Sequence, residues 1–136
     1  MNSSNLNSLE EDLTVALESM EQLYNRALGL IEATLPHETT QQVSACLARI
    51  QPTLSQIEAR EQTLAPLRQA WIDSGQRPGP TLKLKLTRQE PLLQQLIGRI
   101  NSMEKQILEA RQELLPKVDS VVKHQQMQRA YQQQAR

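Results

Sequence analysis

The chain has 136 residues with 15 Lys and Arg against 15 Asp and Glu, 38% apolar residues, 4 Gly, 7 Pro, one Cys and no Phe. Balanced charge argues against a protein built chiefly to neutralise nucleic-acid phosphates, and a single cysteine excludes an internal disulfide framework. No apolar run approaches the roughly 20 residues of a bilayer span, and residues 1–11 lack a secretory signal, so a reducing, cytoplasmic setting is expected. A core without Phe must come from Leu, Ile, Val, Met and Ala, residues suited to helix packing.

In chain order, Leu6, Leu9, Leu13, Ala16, Met20, Leu23, Ala27 and Leu30 step by three and four, the mark of an amphipathic helix. Ser8 followed by Glu11 reads as a capping box, and Glu10, Glu11 and Asp12 suit the positive end of the helix dipole. Leu35-Pro36 should stop this helix, which is predicted over 8–34. Val43, Leu47, Ile50, Leu54, Ile57, Leu64, Leu67 and Trp71 predict a second helix over 38–73, ended at Gly75. Pro52 and Pro66 either bend this helix or divide it, with a restart at Pro52.

Residues 74–87 are predicted to form a linker. Gln76-Arg77-Pro78-Gly79-Pro80 is dense in structure-punctuating residues, and Leu82, Leu84 and Leu86 alternate with polar residues in the period of a strand. Leu82 and Leu86 also fit a heptad phase with Leu93, Leu96 and Ile100, so a helix starting near Pro80 is the alternative. The favoured expectation is an extended approach laying its leucines on the helices, with the third helix starting at the Thr87-x-x-Glu90 capping box. Leu93, Leu96, Ile100, Met103, Ile107, Ala110 and Leu114 carry that helix, and Pro116 shifts its phase to Val118, Val121 and Val122. A span of 88–132 makes it the longest, roughly 67 Å at 1.5 Å per residue.

The predicted architecture is therefore a single all-α domain. Three long antiparallel helices form a bundle, or coiled-coil-like hairpin, from which the end of the third helix protrudes as an arm. Residues 1–36 carry six acids and one base, net −5, whereas residues 77–136 carry eleven bases and five acids, net +6. Complementarity within the molecule is the simplest account.

Chemistry is hard to place on this chain. Cys46 lies beside Leu47 and Ile50 and reads as a buried structural thiol; His37 follows a proline turn, and His124 sits in a Gln-rich stretch. No catalytic, metal or cofactor constellation appears, and no enzyme activity is expected. Arg77, Lys83, Lys85, Arg88 and Arg99 alternate with leucines rather than aromatics, against a nucleic-acid surface. The Leu82-Leu84-Leu86 row could add a strand to a partner, although packing on its own bundle is the stronger expectation. What remains is recognition through a helix surface. Val118, Val121, Val122, Met127 and Tyr131 are the candidate partner-binding residues, Tyr131 foremost because an aromatic in a polar terminal stretch has little core to fill.

The size, the leucine-rich first helix with its acidic entry Leu9-Glu10-Glu11-Asp12-Leu13, and Ile57-Glu58-Ala59-Arg60 followed by Leu64 and Leu67 form one pattern. A long last helix carrying Ile100-Asn101 and Arg129-Ala130-Tyr131 completes it. Together these resemble the flagellar type III export chaperones of the FlgN-like class and, more loosely, the FliT-like class. The chain departs from the family in having Gln132 where a glycine often follows the terminal tyrosine, and in Pro52, Pro66 and Pro116. The resemblance implies a cytoplasmic all-α chaperone that holds the terminal helix of a hook-associated or filament-cap subunit and delivers it to the export machinery. It places cargo contacts at 118–131. The alternative is a coiled-coil protein that self-associates, as a homodimer or larger scaffold, through the heptads from Leu93 to Leu114.

Overall fold

The computed structural model describes the backbone of residues 2–134 and the side chains of residues 8–113, 121–130 and 132. It is all-α, with three helices in the order α1 (Asn2–Ala33), α2 (Thr40–Ser74) and α3 (Pro80–Gln134). α1 buries Leu13, Leu17, Met20, Leu23, Tyr24, Ala27 and Ile31 along one stripe. α2 contributes Val43, Cys46, Ile50, Leu64 and Trp71, and α3 adds Leu82, Leu96 and Met103. The Cys46 thiol is thus a core group, as its neighbours suggested.

Local chemistry sets the helix ends. Thr34 closes α1 by donating its hydroxyl to the carbonyls of Leu30 and Ile31. Thr39 opens α2 with a reciprocal capping box: its hydroxyl accepts the Gln42 N–H at 3.1 Å, while the Gln42 side chain accepts the Thr39 N–H at 3.1 Å. Gly75 ends α2 at φ 67°, a left-handed conformation that favours glycine. α2 runs unbroken through Pro52 and Pro66, and the restart at Pro52 does not occur. Each proline removes one donor, leaving the carbonyls of Ala48 and Gln62 short of a helical partner. Those residues are exposed, so water can reach the carbonyls.

Two boundaries differ from expectation, the starts of α1 and of α3. α1 begins at Asn2 rather than Ser8, so Ser8 and Glu11 are not its cap; residues 2–7 contain no Pro or Gly to break the helix before Ser8. Residues 80–87 are helical, so the predicted linker of 74–87 shrinks to the few residues between α2 and α3. The physical reason lies in α1. The Glu10 carboxylate accepts the Gly79 N–H at 2.7 Å and Pro80 stands first in the helix, where it needs no donor, while Lys83 N–H closes the first turn onto Gly79 O. Thr87 therefore sits inside α3, its hydroxyl donated back to Lys83 O, and is not a cap. Of the alternating leucines only Leu82 is buried; Leu84 and Leu86 are exposed, and no strand edge exists there for a partner. With 55 residues, α3 is about 82 Å long.

α1 and α3 run parallel, with α2 antiparallel to both. Going up the bundle, Glu10 meets Gly79, Glu21 meets Lys85, Glu32 meets Arg99, and the His37 carbonyl accepts from Gln106 at 3.1 Å. The bottom and top contacts are 69 residues apart in sequence in both cases, so the two helices keep one register along the bundle. Between them Gln89 donates to the Leu17 carbonyl at 2.6 Å.

Candidate partner-binding site

Gln106 marks the level of the α1–α2 turn, and α3 continues beyond it. Among the described side chains Ala110 is the last that is half-buried, and those after it are exposed. The 24 residues from Arg111 to Gln134 make an arm of about 36 Å, as the length mismatch predicted.

Among the described residues ten large apolar side chains are exposed, and seven belong to α3: Leu84, Leu86, Ile97, Leu108, Val121, Val122 and Met127. At about 100° per residue four of them share one face, while Leu84, Val121 and Met127 lie elsewhere round the helix. Leu86, Ile97, Leu108 and Val122 fall within about 40° of one another, a stripe about 54 Å long that starts on the bundle and continues onto the arm. It lies on the flank of α3 away from Lys85, Gln89, Arg99 and Gln106, the residues that face α1.

The five residues singled out in the sequence do not share one face. Val122 is 44% exposed and lies on the stripe, and position 118 falls about 40° from it; Val121, 57% exposed, sits about 100° round from Val122, at the azimuth of Lys85. Met127 is 65% exposed but sits, like position 131, on the opposite side of the arm. The side chains of Val118 and Tyr131 lie outside the described residues. A single binding face therefore cannot use all five at once.

Ile97 and Leu108 escape a reading by heptads because they stand next to the heptad positions Leu96 and Ile107. Leu86 is expected to pack on the helices whether the segment is extended or helical, yet it is 38% exposed. The regular spacing of Leu86, Ile97 and Leu108 by eleven residues, three helical turns, was the available signal.

Two ion pairs join the acidic first helix to the basic third. Lys85 binds Glu21 at 3.2 Å with both side chains mostly covered, and Arg99 approaches Glu32 at 3.9 Å. Two members of the basic set considered for nucleic acid are thereby engaged. Beside the α1–α2 seam, burial pushes the Tyr24 hydroxyl above the ordinary tyrosine pKa, Glu61 adds to the rise, and Arg68 opposes it. Arg68 is held by Glu61 at 2.8 Å. His37 shares a 3.1 Å hydrogen bond with the Thr34 hydroxyl, and His124 lies exposed on the arm. Among the described residues no three His, Cys, Asp or Glu side chains converge on a metal-sized site, and no helix is long and apolar enough to cross a membrane.

Comparison with protein-family models, curated proteins and solved structures finds no significant match to this chain.

Proposed function

We propose that this protein is a cytoplasmic export chaperone that binds an apolar terminal helix of a secreted flagellar axial subunit, hook-associated or filament-cap, and keeps it unassembled before type III export. The observation that carries the reading is the concentration of exposed apolar side chains on α3, continuing onto an arm that leaves the bundle. Such a stripe gives a partner helix anchors at successive turns, with the bundle serving as a rigid base. The flagellar subunit as cargo follows from the sequence resemblance alone.

The self-associating scaffold has less support. Its motive was the heptad run of α3, and that run is largely occupied within the chain: Leu96 and Met103 are buried, and Leu93, Ile100 and Ile107 pack against the core.

The test is binding of purified hook-associated and filament-cap subunits from the source organism to the full chain and to a chain truncated after Leu115. One subunit should bind the full chain and lose that binding on truncation. Failure of every subunit to bind, or binding untouched by truncation, would overturn the reading.

A further inference from the structure

The stripe on α3 carries charge as well as apolar anchors, and the two are ordered symmetrically about Ile97. Seven residues to either side stand Glu90 and Glu104; eleven to either side, Leu86 and Leu108; fourteen to either side, Lys83 and Arg111. All seven positions fall within about 80° of one another on the helix, over about 42 Å. All seven are exposed, and none of the four charged residues forms an ion pair within 4 Å among the described residues. The charged and exposed apolar residues of the face thus read cation, apolar, anion, apolar, anion, apolar, cation, with neutral Asn101 the other exposed residue in the sector.

This order discriminates between occupants. A second copy laid antiparallel about a two-fold axis at Ile97 would set Glu90 against the other copy's Glu104 and Lys83 against its Arg111. A parallel, in-register copy would set each charge against itself. Both symmetric pairings that align the apolar anchors therefore juxtapose like charges, which disfavours association. We infer that the α3 stripe is a docking face for an amphipathic helix of a different protein, with cations flanking its central apolar anchor, anions at its two ends, and apolar anchors about three turns apart. Because the charge order is the same read from either end, such a helix meets complementary charge in both orientations. Direction must then be set elsewhere, and the arm, present at one end only, is the asymmetric element.

The inference rests on the partner-helix reading above and is tested separately from it. Two helical peptides of identical composition serve as probes, each with leucines placed against Leu86, Ile97 and Leu108 and with alanine and glutamine as filler. The first places lysines against Glu90 and Glu104 and glutamates against Lys83 and Arg111; the second exchanges the lysines and glutamates. Titrated into the full chain at low salt, the first should bind about tenfold or more tighter than the second. A variant carrying Glu90→Lys, Glu104→Lys, Lys83→Glu and Arg111→Glu, with helicity checked by circular dichroism, should reverse that preference. Equal affinities, no binding of either peptide by the wild-type chain, or a folded variant that keeps the wild-type preference would overturn the inference. So would a dimer by sedimentation that Ile97→Asp dissolves, since the occupant would then be a second copy. Subunit capture can fail while the peptides still discriminate, and the peptides can bind without charge preference while capture succeeds.

Discussion

The Glu10 carboxylate, in the third turn of α1, accepts the backbone N–H of Gly79 and so caps a helix that begins 70 residues later in the chain. A Cβ at Gly79 would stand 2.8 Å from that carboxylate oxygen, so Gly79→Ala must push the Glu10 side chain away. Glu10→Ala and Gly79→Ala should each cost about 1 kcal/mol in urea unfolding. Together they should cost less than the sum, because each removes the same bond. Full additivity would show that the contact does not hold α3 in place.

Adjacent residues separate packing from surface. Leu96 is 2% exposed and Ile97 is 41% exposed. Leu96→Ala should lower stability by about 2 to 4 kcal/mol, whereas Ile97→Ser should change it by about 0.5 kcal/mol or less. The binding assays should rank them the other way, with Ile97→Ser weakening the partner while the fold is intact.

The Lys85–Glu21 pair is mostly covered by protein, and the Arg99–Glu32 pair is not. Lys85→Ala leaves a carboxylate partly buried without its partner and should cost about 1 kcal/mol; Arg99→Ala should be near neutral. Thermal unfolding of the two variants at matched salt distinguishes them.

Tyr24 gives the fold an alkaline sensitivity. Its folded pKa lies above the unfolded value of about 10, so its contribution to stability is complete below pH 10 and is lost as pH rises through the folded value. Tyr24→Phe should therefore lose less stability than the wild type between pH 9 and pH 11, to be read as the difference between paired denaturant curves at each pH. Equal losses in the two proteins would remove Tyr24 as the cause.

Removing the arm should hardly affect folding. A chain ending at Leu115 loses no side chain that the structure describes as buried. Its melting temperature should stay within a few degrees of the full chain, while partner binding falls. A large drop would mean that the arm packs on the bundle.

Much of this architecture was readable because three-and-four spacing reports directly on burial: Leu13, Met20 and Leu23 in α1, and Val43 and Ile50 in α2, are core where periodicity put them. The start of α3 was not readable, since leucines at 82, 84 and 86 carry the period of a strand, and the group that favours helix there is a carboxylate on another element. Local pattern cannot report a cap supplied from 69 residues away. The arm was legible from the length mismatch. The stripe was not, because exposed Leu86, Ile97 and Leu108 are the same residue types as their buried neighbours Leu82 and Leu96, and composition cannot tell one flank of a helix from the other.

The level of Gln106 divides the chain by the kind of change it can absorb. Below it, one register ties α1 to α3 at both ends of the bundle, so inserting or deleting a residue in either helix would rotate a whole seam out of place. Above it, none of the described side chains beyond Ala110 is buried, so changes of length or side chain there should leave the folded base in place. On the proposed reading, the arm's share of the partner contact can then change at little cost to folding, whereas Leu86, Glu90, Ile97 and Glu104 sit on the folded base and can change only within its seam.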